Sequence, residues 1–254
     1  MADVDREVST MGGRLSRNLA GPSPPLDSKS DPGVYSVLMA SDQRLIPILG
    51  IAGAVFAVAS VVLFGLAFGF DPSGSELVER LRDAEPGDAT LVRWGAITDM
   101  LGYYLFPVAL IVVVRERIPW SSPSSRDLAT VAGVLYGAIG AIGAGMLAAA
   151  APPLIESAAP GSRAVLQTLA ETVEGLWQWL EPVPFTVWAV GVTLALRARQ
   201  TFFSALFGLM TVGGVLVWVG RILAVEPVLI AGLIAWLIPF PFVLATASWW
   251  SRSP

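Results

Sequence analysis

Six long apolar runs, separated by short polar breaks, organise this chain. They cover residues 45–70, 90–114, 128–151, 175–196, 202–223 and 227–250. Each exceeds the ~18 residues at which an apolar stretch is read as a membrane-crossing helix. The runs are continuous instead of alternating, which excludes the dyad pattern of barrel strands. The pattern therefore predicts an all-α integral membrane helical bundle with six transmembrane helices over residues 45–250.

The breaks carry their own expectations. Asp71-Pro72-Ser73-Gly74 ends the first run, and residues 76–84 form a short amphipathic segment suited to the membrane surface. Pro107 lies inside the second run, where it must free a carbonyl that a neighbouring helix has to satisfy. Pro152-Pro153 is expected to end the third helix. Residues 154–174 mix polar and apolar positions, so the fourth helix starts either near Gly175 or near Ser162 with a kink further on. The loop after Leu196 is short, making the fourth and fifth helices antiparallel neighbours. Pro239 and Pro241 interrupt the sixth. Residues 1–44 are polar and broken by Gly21-Pro22-Ser23-Pro24-Pro25 and Asp31-Pro32-Gly33, with no periodic apolar face to bury. They are expected to form a disordered cytoplasmic tail, with Met39 as an alternative start.

The third run is unusually rich in small residues. Gly133, Gly137, Ala141 and Gly145 fall four apart, and Gly140, Ala144 and Ala148 form a second row. Such rows let helix backbones approach where lipid supplies no hydrophobic drive, so Gly133, Gly137, Gly140 and Gly145 are the candidate packing positions. Most of the 16 Lys and Arg residues lie in the tail, after the second and fourth runs and at the C-terminus. The positive-inside rule then puts both termini in the cytoplasm of a cell whose plasma membrane the chain crosses six times.

Composition narrows the chemistry. Hydrophobic residues make up 54% and charged ones 14%, outside the range of ordinary soluble domains. There is no cysteine and no histidine. That removes disulfides, thiolate chemistry, His-ligated haem and the usual zinc ligands, so no metal or cofactor is expected. A Ser-His-Asp triad is excluded as well. The only lysine, Lys29, lies in the tail, which excludes a retinal Schiff base within the membrane. Basic residues are scattered arginines, a distribution that does not suit nucleic acid.

Ionisable residues inside apolar runs remain. Asp99 lies sixteen residues before Arg115, and Glu181 sixteen before Arg197. At 1.5 Å per residue both sit about 24 Å from the cytoplasmic boundary, in the outer third of a core about 30 Å thick. Arg93, Glu174, Gln178 and Arg221 approach the same level, and Tyr103 shares a helical face with Asp99. Charges at such depth are costly unless paired or facing a wet cavity. Two arrangements fit: a polar pocket open to the outside, lined by Arg93, Asp99, Tyr103, Glu174, Gln178, Glu181 and Arg221, with Arg93 or Arg221 as counter-charge, or a structural set of ion pairs.

Trp94-Gly95, Asp99-Met100-Leu101-Gly102-Tyr103-Tyr104-Leu105, Gly137-Ala138-Ile139-Gly140-Ala141-Ile142-Gly143-Ala144, Pro152-Pro153-Leu154-Ile155 and Leu176-Trp177 are the distinctive strings. They resemble signatures of an uncharacterised bacterial polytopic integral membrane family of the domain-of-unknown-function type, over residues 45–250. The resemblance implies a six-helix membrane fold and carries no activity; the tail before Leu45 departs from it. Three readings of function follow. The first is a non-enzymatic structural or accessory protein whose partners are the lipid bilayer, other membrane proteins or a second copy. The second is a small-solute or proton-coupled carrier built on Asp99 and Glu181. The third, an intramembrane acid–base enzyme, lacks a nucleophile or metal set.

Overall fold

The computed structural model describes residues 32–69 and 77–251, and every element within them is helical. Six helices are long and apolar enough to cross a membrane: Arg44–Phe68, Pro86–Val114, Pro123–Glu156, Ser162–Leu196, Thr201–Leu223 and Glu226–Ala245. The protein is a multi-pass membrane protein. These helices are numbered here as spans one to six. The helix that contains span one begins at Pro32, so residues 32–44, expected to be disordered, are helical. Pro32 occupies the first turn, where its missing N–H costs nothing. The rest of the expected tail, residues 1–31, lies outside the described residues.

Two expected boundaries move. Span three continues past Pro152 and Pro153 to Glu156, with both prolines in its final turns. Ala151, Pro152 and Ile155 are buried there, so packing holds the turn that proline weakens. Span four starts at Ser162, not near Gly175. Its first half buries Leu166, Leu169, Ala170 and Val173 while Gln167, Thr168, Glu171 and Thr172 face out. Only one stripe of this segment is apolar, which is why mean hydropathy hides it.

That stripe packs on Leu81 of the short helix Leu77–Asp83 and on Ala84 just after it, on Val92 and Ala96 of span two and on Leu147 of span three. The short helix is tied to span four at both ends. The Leu77 N–H donates to Glu174 Oε1 at 2.6 Å, and the Arg163 guanidinium donates to the carbonyls of Arg82 and Ala84 at 2.8 and 3.2 Å.

The larger core is aromatic. Phe185 stacks on Trp236 with ring centroids 4.3 Å apart, and Tyr136, Phe240, Tyr103 and Tyr104 continue the cluster. Close backbone approach surrounds it. A Cβ at Gly102 would overlap the backbone of Ala57, which sets spans one and two in contact. A Cβ at Gly213 would lie 2.7 Å from the Trp236 nitrogen, and one at Gly232 only 2.8 Å from the Gly213 carbonyl, so spans five and six meet through glycine.

In span three, Gly133, Gly137 and Gly140 are buried against neighbours. Gly145 is not a packing position: a Cβ there would find Met100 Sδ at 3.9 Å, an ordinary contact. Gly143 takes that role, lying under the Trp177 indole.

Candidate functional site

Spans two and four share a local pattern. Span two is α-helical over Ala89–Asp99, turns π-helical over Met100–Leu105, and resumes with Phe106 and Pro107. Span four is α-helical over Ser162–Gly175, π-helical over Leu176–Leu180, and resumes with Glu181 and Pro182. Each wide turn is thus followed, one residue on, by a proline. A proline removes one rung of the helical ladder, and a π turn absorbs the irregularity in a membrane helix. Asp99 immediately precedes the first π turn and Glu181 immediately follows the second. Single π turns occur preferentially at functional sites.

In an α-helical ladder Pro107 would be the residue paired with the Tyr103 carbonyl, four residues back. The Tyr136 hydroxyl of span three donates to it at 2.8 Å. A carbonyl beside the intramembrane proline is thus held by a side chain of span three, itself fully buried.

Asp99 lines a cavity of about 460 Å³ bounded by spans one, two, four and six. The cavity runs along span one from Ser60 to Gly69, about 13 Å of helix. Ser60 donates to Asp99 Oδ1 at 3.2 Å. Asp99 Oδ2 is buried and accepts no hydrogen bond among the described residues. Tyr103, Tyr104 and Trp177 form aromatic walls, and Val61, Phe64, Leu233 and Leu237 form apolar ones. Arg80 of the short helix lies at the Gly69 end, where it also lines a separate hollow beside Phe68, Asp83 and Asp88.

Glu181 sits behind this wall, 3% exposed. The Tyr104 hydroxyl donates to its Oε2 at 3.3 Å, and Tyr104 is within electrostatic range of both carboxylates. Gly140 makes this possible, since any Cβ there would overlap the Tyr104 ring. Trp177 is held in turn by donation from its Nε1 to the Gly140 carbonyl at 3.3 Å.

Of the seven residues expected to share one pocket, Asp99, Tyr103 and Glu181 come together. Glu174 and Arg221 do not join them. They form an ion pair at 3.6 Å, and both line another hollow, of about 470 Å³, with Glu171 and Trp179. Arg93 is exposed and lines neither cavity. The expected arginine counter-charge is therefore missing: Ser60 and Tyr104 are the groups that reach Asp99 and Glu181, and no arginine pairs with either among the described residues. Gln178 is partly buried and is absent from the Asp99 cavity lining.

Ser60, Tyr104, Trp177 and Arg80 were missed as site residues. Ser60 had a readable signal, being the only hydroxyl between residues 45 and 70. Among the described residues no group of three or more carboxylates, histidines or cysteines could hold a metal ion. No protein-family model, no curated protein and no solved structure matches the chain.

Proposed function

We propose that this multi-pass membrane protein is a non-enzymatic carrier that binds a small solute in the cavity ending at Asp99, with Glu181 as a second acidic station behind Tyr104. One observation carries the reading: a cavity of about 460 Å³ is lined by Asp99, a carboxylate with one buried oxygen that has no hydrogen-bond partner among the described residues. Leaving an acceptor unpaired in a low-dielectric interior is costly, and a ligand that supplies the missing donor offsets that cost. The volume lies within the range of small-molecule sites, about 300–1,000 Å³.

The paired π turns support the same reading. A carrier must open its site alternately to two sides, and interrupted helices commonly form such sites. Here the two interruptions flank the two carboxylates. An accessory role would explain neither the unpartnered oxygen nor the placement of both interruptions.

In this proposal both termini face the cytoplasm and the membrane is the plasma membrane. The distribution of arginine after spans two and four supports that orientation. The test is solute uptake by proteoliposomes containing the purified chain. Asp99→Asn and Glu181→Gln are expected to abolish uptake while membrane abundance stays unchanged. Uptake that survives both substitutions would show the site to be wrong.

A further inference from the structure

The geometry points to an organic ammonium ion with an apolar body as the solute that Asp99 binds. This inference rests on the carrier reading above and names the chemistry of its cargo.

Three kinds of ligand can be weighed against the walls. A small metal cation needs a shell of oxygen ligands, commonly six to eight for calcium and an octahedral set for magnesium. At Asp99 the cavity lining offers one carboxylate and the Ser60 hydroxyl, which already donates to it. An anion would have to approach a carboxylate with no arginine paired to it. A neutral alcohol could donate one hydrogen bond to the Asp99 carboxylate but brings no positive charge to it.

A primary or secondary ammonium meets all of these conditions. It brings both an N–H and a positive charge to the Asp99 carboxylate, forming the strongest class of hydrogen bond available there. Tyr103, Tyr104 and Trp177 present rings along the cavity, and aromatic faces attract ammonium ions. Beyond the charged end, Phe64, Leu233 and Leu237 provide the surface that an alkyl or aryl body covers. Arg80 also lines the cavity but is not among the groups that act on Asp99.

The experiment is equilibrium dialysis of the full chain in nanodiscs against radiolabelled 2-phenylethylammonium, 2-phenylethanol and phenylacetate, matched in size and differing in charge. The ammonium is expected to bind at least tenfold more tightly than the alcohol, and phenylacetate not at all. Asp99→Asn should bring the ammonium down to the level of the alcohol. Leu233→Trp, which leaves the carboxylate intact and fills the apolar wall, should weaken ammonium and alcohol alike. It reports on the site even if the Asp99 variant does not fold. Glu171→Gln, in the other hollow, should change nothing.

Equal affinity for ammonium and alcohol, or ammonium binding that survives Asp99→Asn in a monodisperse variant, would overturn the inference. The carrier reading fails separately. Ammonium that binds through Asp99 but never crosses the proteoliposome membrane would remove transport and keep the cation site. An alcohol that is carried while the ammonium is not would keep transport and remove the cation site.

Discussion

Asp99 and Glu174 are acidic side chains on two membrane helices, and the structure treats them in opposite ways. Glu174 receives a backbone N–H from Leu77 at 2.6 Å and an arginine, Arg221, at 3.6 Å. Asp99 receives one serine hydroxyl at 3.2 Å, and its other oxygen, though buried, has no partner among the described residues. Glu174 is a structural clamp that fastens the start of a short helix to span four. Asp99 is left with acceptor capacity at the end of a cavity. The difference separates an acid that completes the fold from one held ready for something outside the chain, and depth in the membrane alone does not reveal it.

The largest effect is expected from removing the frame that the Asp99 side depends on. Gly102→Val would drive a side chain into the Ala57 backbone, and size-exclusion chromatography should show no monodisperse protein. The central contrast is then tested by paired substitution. Asp99→Asn should abolish solute uptake with little loss of stability. Glu174→Gln should retain uptake while lowering stability by about 1–3 kcal/mol, read from thermal unfolding in detergent. If the two variants behave alike, the distinction between clamp and site is lost.

A smaller effect is expected at Tyr136. Tyr136→Phe removes the donor to the Tyr103 carbonyl and leaves it without that partner beside Pro107, which should cost about 1–3 kcal/mol. Because the Tyr103 carbonyl belongs to the π turn after Asp99, uptake should fall in parallel. Arg163→Ala should act more locally still. It should speed hydrogen exchange over residues 77–84 without unfolding the bundle, because the carbonyls it holds lie outside the aromatic core. Asp127→Asn, in the exposed cluster with Arg115 and Arg126, should leave the melting temperature unchanged, as exposed ion pairs contribute little.

How much of this was legible beforehand depended on which physical quantity was needed. Axial position could be counted: sixteen residues to Arg115 and to Arg197 put Asp99 and Glu181 at one level, and the structure brings them together through Tyr104. Azimuth could not be counted. Arg93 and Arg221 were at the right level, yet one faces out and the other turns toward Glu174.

The glycine row of span three failed for a related reason. Steps of four residues advance 400° around a helix, so the row from Gly133 to Gly145 drifts by about 120° off the packed face. The buried positions instead alternate steps of three and four, through Gly133, Gly137, Gly140, Ala144 and Leu147. The hidden first half of span four was a matter of partners. Its single apolar stripe gains meaning only once the short helix and spans two and three are in place to cover it.

The double fastening of the short helix has a mechanical consequence. Arg163 holds its last carbonyls and Glu174 its first N–H, and both anchors lie on span four before the π turn at Leu176–Leu180. The helix and that half of the span form one lever, about 16 Å between its two rivets. Any pivot about the π turn beside Glu181 must therefore swing Arg80, and with it the far end of the cavity, through the same arc.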